Sequence, residues 1–132
     1  MKGWLVLTLA WVAGCADQGP HPHDEPASAK LFSAAGAELT PAVSVPAGQI
    51  LVVEVRFYRG DGTQIVGLDA DHSALLRFSP ASIASEGTIP GQKLRFEVTG
   101  RSSGGAGTMT IGYGHGNKTD ERTFGPFPVT VR

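Results

Sequence analysis

The 132-residue sequence predicts an all-β fold of two packed antiparallel sheets, and three observations lead there. Eighteen glycines and nine prolines cut the chain into short pieces, which leaves little room for helices. Several of those pieces alternate apolar and polar residues with the two-residue period of a half-buried strand. The single cysteine, Cys15, lies near the N-terminus. No disulfide can staple the domain, so the apolar faces of two sheets must meet to make its core.

The elements follow in chain order. Met1-Lys2 is a positive start, Trp4 to Val12 a short apolar run, and Ala13-Gly14 a pair of small residues directly before Cys15. The run is far short of the ~20 residues a membrane-spanning helix needs and has the layout of a secretory signal. Its end, Val12-Ala13-Gly14-Cys15, resembles the lipobox of bacterial lipoproteins. That resemblance implies cleavage after Gly14, diacylglycerol on the Cys15 thiol and a palmitate-type acyl chain on the new N-terminus. Each buried methylene contributes ~0.8 kcal/mol, so two or three chains hold a protein to the membrane durably. Ala16, rather than an aspartate, follows the cysteine, as in lipoproteins of the outer membrane. The expected location is therefore the bacterial cell envelope, on the periplasmic or surface face.

Residues 15–29 carry three prolines and no hydrophobic periodicity. Such a segment cannot bury enough apolar surface to offset chain entropy and reads as a disordered tether, with a reach of about 3 Å per residue. The folded domain is expected over residues 30–132. Leu31-Phe32 and Glu38 to Val45 read as one irregular edge strand broken at Pro41, since proline is tolerated at an edge. Gln49 to Arg59 is the clearest strand, with Leu51, Val53, Val55 and Phe57 toward the core. Arg59-Gly60-Asp61-Gly62-Thr63 is a turn. Gln64 to Asp71 reads as a loop or a short bulged strand. Ser73 to Phe78 is a strand with Leu76 and Phe78 inward, and Ile83 to Ser85 a shorter one. Lys93 to Thr99 sets Leu94, Phe96 and Val98 against Arg95, Glu97 and Thr99. Thr108 to Tyr113 presents Met109, Ile111 and Tyr113, and Phe127 to Val131 closes the chain after a loop over 114–123. Seven to eight short strands at this spacing make a sandwich.

Val45-Pro46-Ala47-Gly48-Gln49, Phe78-Ser79-Pro80-Ala81-Ser82-Ile83-Ala84, the stretch from Val98-Thr99-Gly100 through Gly105-Ala106-Gly107-Thr108-Met109-Thr110-Ile111, and Phe127-Pro128-Val129-Thr130-Val131 together resemble bacterial Ig-like domains of the Big-2 kind. The resemblance spans about residues 43 to 131. It implies a single Ig-like β-sandwich that serves adhesion, spacing or display and has no catalytic role.

The chemistry in the sequence agrees with a non-enzyme. There is no Gly-x-Ser-x-Gly elbow, no His-Glu-x-x-His and no phosphate-binding loop. Gly112-Tyr113-Gly114-His115-Gly116 has the glycines of a dinucleotide motif at the wrong spacing. Eleven basic and twelve acidic residues, unclustered, leave no footprint for nucleic acid. In an Ig-like fold Ser73 to Phe78 runs antiparallel to Thr108 to Tyr113. That arrangement brings Asp69, Asp71 and His72 to the same end as His115, Asn117, Asp120 and Glu121. Imidazoles and carboxylates in this company suit zinc or copper, and His21 and His23 of the tether extend the donor set. The plainer alternative is that all of these are solvated loop and linker residues. Asp69-x-Asp71 lacks the later glutamate of a calcium loop. Tyr58 beside Glu54 and Arg56 has the composition of a protein interface. The expected partners are the membrane, through the lipid on Cys15, and an envelope protein.

Overall fold

The computed structural model describes residues 25–132. Nine strands lie among them: β1 (Ser28–Ser33), β2 (Val43–Val45), β3 (Ile50–Tyr58), β4 (Gln64–Ile65), β5 (His72–Ser79), β6 (Ala84–Ile89), β7 (Gln92–Gly100), β8 (Ala106–His115) and β9 (Arg122–Val131). One sheet has the order β1-β3-β7-β6 with β4 alongside β3, and the other the order β2-β9-β8-β5. These are the two sheets of an immunoglobulin-type sandwich, with an extra short strand added to each.

The alternation seen in the sequence sets the core. Val53, Val55 and Phe57 of β3 meet Leu76, Phe96, Val98, Met109, Ile111 and Val129, all essentially buried. Full burial of a side chain of this size contributes roughly 1.5–3 kcal/mol, which is how a domain without a disulfide holds. Phe78 and Phe127 pack against this cluster while staying partly exposed.

The strand count exceeds the expected seven to eight, and the reasons are local. The anticipated single edge strand is two strands in different sheets. β1 pairs antiparallel with β3, whereas β2 pairs parallel with β9. Leu31 and Val45 each need an apolar face, and the intervening chain crosses between the sheets to supply both. Thr40 supports the crossing by accepting the Leu31 N–H on its hydroxyl at 3.3 Å. Gln64 and Ile65 extend the β3 hairpin, pairing with Tyr58 and Phe57. β6 runs four residues beyond Ser85, to Ile89; Glu86, Gly87 and Thr88 lack apolar alternation but are held by the β7 ladder.

Strand structure is present in the last residues of the expected tether, ahead of Lys30. Pro26 is fully buried, Ala27 donates its N–H to Tyr58 at 2.8 Å, and β1 opens at Ser28. Arg122 fastens this entry by donating to the Pro26 carbonyl at 3.1 Å and to Glu25 at 2.8 Å. Composition cannot reveal a polar segment that is held by partners distant in sequence. The entry lies at the end of the sandwich that carries the β3–β4 turn and the starts of β5 and β9. The C-terminus lies at the other end, where the Arg132 carbonyl accepts from Ala47. The signal segment, Cys15, His21 and His23 lie outside the described residues.

Candidate metal centre at the loop end

Register positions the two histidines. β5 and β8 pair antiparallel from Ser79↔Thr108 to His72↔His115, so the last rung of the ladder puts one imidazole opposite the other. Their ring centroids are 4.1 Å apart. His72 is 2% exposed and stacks on Tyr113 at 5.1 Å, with 16° between the planes. Tyr113 in turn meets Phe57 edge-on at 5.3 Å. The core thus seats His72 as a rigid side chain, while His115 stands at the rim with 42% of its side chain exposed.

Carboxylates surround the pair. His72 Nδ1 faces Asp71 Oδ1 at 3.3 Å and Asp69 Oδ2 at 3.8 Å. His115 Nδ1 lies 2.6 Å from Glu121 Oε2, the contact by which a carboxylate orients a metal-binding imidazole so that its other nitrogen is presented. One ligand atom from each of Asp71, His72 and His115 falls within 4.8 Å of the others. Tetrahedral zinc with bonds of about 2.0–2.2 Å needs donor separations of about 3.3 Å. Asp71, with 62% of its side chain exposed, has room to close that difference toward the buried His72.

The remaining expected residues separate into two groups. Asp69 and Glu121 flank the cluster as carboxylate neighbours. Asn117 lines an open cleft of about 560 Å³ that starts at Asp71 and His72 and is walled by Pro90 and Lys93. Asp120 is exposed on the 116–121 loop and outside the three-residue cluster. That loop is shorter than the expected 114–123, because β8 continues to His115 and β9 starts at Arg122. Glu54 and Arg56 are committed to each other at 2.8 Å, and Arg56 covers the Phe32 ring at 4.0 Å, so most of this polar set is internally paired.

Two features were missed by sequence reasoning. Lys93 donates to the carbonyls of Asp69, Ala70 and His72 at 3.1, 2.6 and 3.1 Å; no local pattern marks a lysine on a strand of the opposite sheet. Gly112 and Gly114, dismissed as a failed dinucleotide motif, let the returning loop lie directly on β8. A Cβ at either would enter the space of the Thr119 or Lys118 carbonyl oxygen. The alternation of glycine with inward residues was the available signal.

The electrostatics of this end are negative. The hydrogen bond to Glu121 raises the His115 pKa above its ordinary 6.5; desolvation opposes the rise, and the charges of Glu121, Asp71 and Glu25 add to it. The same hydrogen bond holds Glu121 below its ordinary 4.5. Burial first, then Asp69, Glu25, Glu121 and Asp71, push the Tyr113 phenol up from 10.0. A raised histidine pKa contributes stability that is complete below 6.5 and lost as pH rises through the folded value. The depressed Glu121 contributes above 4.5 and is lost as pH falls through its own folded value. The pair's contribution is therefore complete between about pH 4.5 and 6.5 and falls away on either side. In an NMR titration of the metal-free protein, the His115 midpoint is expected above 6.5 and Glu121→Gln should move it down. A wild-type midpoint at or below 6.5 would contradict this pairing.

The fold and this cluster define a class: an immunoglobulin-like sandwich with a histidine–carboxylate centre on its loop end. No protein-family model and no curated protein matches the chain. Among solved structures the chain is similar to domains 4 and 5 of the S-layer protein SbsC, with 22% identity and a TM-score of 0.42, over 68% of this chain and 46% of that one. The chain thus spans less than half the length of that structure.

Proposed function

We propose that this chain is a lipoprotein of the bacterial cell envelope, outer-membrane class, anchored through Cys15. Its Ig-like domain serves as a non-catalytic binding module, and its loop end takes one zinc or copper ion. The observation that carries the metal reading is the convergence of Asp71, His72 and His115 within 4.8 Å. Two imidazoles and a carboxylate, in an acidic surround, are the donors these borderline cations select. The same end receives the tether at Glu25, held on Arg122. His23 is two residues upstream of Glu25 and His21 four, at most about 7 and 14 Å of chain, which makes either a candidate fourth ligand.

Calorimetric titration with zinc and with copper tests the site. One equivalent should bind the wild-type chain, and His72→Ala/His115→Ala should abolish binding. Binding that survives in the double variant would transfer the site to His21 and His23, and none in the wild type would end the metal reading. Anchoring is checked separately. Cells fed labelled palmitate should label the wild-type protein and leave Cys15→Ser unlabelled; an unlabelled wild type would refute the lipid.

A further inference from the structure

We infer that Lys93 is the positioning residue of the metal centre, an internal cation that shapes the ligand-bearing segment 69–72; the inference rests on the metal reading above. Lys93 is the second residue of β7, just past the Pro90-Gly91 turn and Gln92, in the sheet opposite the one that holds His72 and His115. Its ammonium gathers three main-chain carbonyls from four consecutive residues: Asp69 at 3.1 Å, Ala70 at 2.6 Å and His72 at 3.1 Å. The fourth carbonyl of the segment, on Asp71, accepts the Gly116 N–H at 2.7 Å. The His72 N–H closes the segment on itself by donating to Asp69 at 3.1 Å. Every carbonyl of residues 69–72 is thereby accounted for, three of them by one side chain.

Three carbonyl oxygens converging on one point repel one another unless a cation sits among them. Lys93 supplies that cation, and curling the segment around it leaves the Asp71 carboxylate beside His72 Nδ1. A ligand held by packing and outer contacts loses less freedom when the metal binds, and outer-contact substitutions typically cost 10–100-fold in metal affinity. The charge of Lys93 acts in the other direction, since a fixed cation beside a metal ion disfavours it. Removing the ammonium therefore distinguishes the two roles by sign.

The experiment uses the full chain carrying Cys15→Ser, with zinc alone as the probe, and compares Lys93, Lys93→Met and Lys93→Arg. Lys93→Met is expected to weaken zinc binding about 10–100-fold and to speed amide hydrogen exchange at His72 and Gly116 in the metal-free chain. Lys93→Arg, which keeps a cation, should recover most of both. Zinc affinity that is unchanged or higher in Lys93→Met would overturn the inference, because Lys93 would then be only a neighbouring charge. If the parent chain binds no zinc, the metal reading fails separately. The exchange measurement then decides the clamp, and unchanged exchange at His72 and Gly116 would overturn it.

Discussion

Replacing Gly114 by alanine is expected to destabilise the domain by about 3 kcal/mol, the upper part of the usual range for overpacking, and to disable the loop-end centre at the same time. A Cβ at Gly114 would overlap the carbonyl oxygen of Lys118 and press on the Glu121 side chain. The obstructing atom is backbone, so no rotamer change relieves the clash. The loop must lift away from β8 and break the Lys118 N–H to His115 carbonyl bond of 2.9 Å. Glu121 moves with it and His115 loses the partner at 2.6 Å that orients its ring. The control is Gly116→Ala, where no atom lies within 4 Å of the added Cβ and only the positive φ of 56° is strained. It should cost about 1 kcal/mol. Denaturant unfolding of both variants checks this, and equal costs would show that close approach is not what Gly114 provides.

Zinc or copper is expected to raise the unfolding temperature of the wild-type chain by about 10–20 °C when present at 100 times its dissociation constant. A ligand that binds only the folded state at that excess stabilises by about 2.7 kcal/mol, and 1 kcal/mol moves the midpoint of a domain of this size by roughly 4–8 °C. The gain should be absent in His72→Ala/His115→Ala and reversed by a chelator. His72 is buried against Tyr113, so the double variant will also melt lower without metal. The quantity to compare is therefore the metal-induced shift of each protein. No shift in the wild type would rule the centre out. At a fixed metal concentration the shift should grow as pH rises through the His115 value, because the metal must displace that proton.

Much of the sandwich was legible in strands where one face is buried. In Ile50–Tyr58 and Gln92–Gly100 the alternation had to match the core, because a one-residue slip would turn Val55 or Phe96 to solvent. From those strands and the Ig-like resemblance, the pairing of Ser73 to Phe78 with Thr108 to Tyr113 could be anticipated, and with it the meeting of residues 72 and 115. Gln64–Ile65, legible only as a loop or a short bulged strand, and the end of Ala84–Ile89, which went unread, are held chiefly by ladder pairing, so they leave little periodic trace.

Sequence, through local periodicity and residue type, therefore established the all-β class, the inward faces and the donors available at one end. Tertiary structure alone decided how those donors are held. Burial of His72 on Tyr113, the reach of Lys93 from the opposite sheet, the anchoring of Glu25 on Arg122 and the seating of loop 116–121 on Gly112 and Gly114 all join residues distant in the chain. Such contacts depend on where the folded backbone brings their atoms, and no local pattern encodes that.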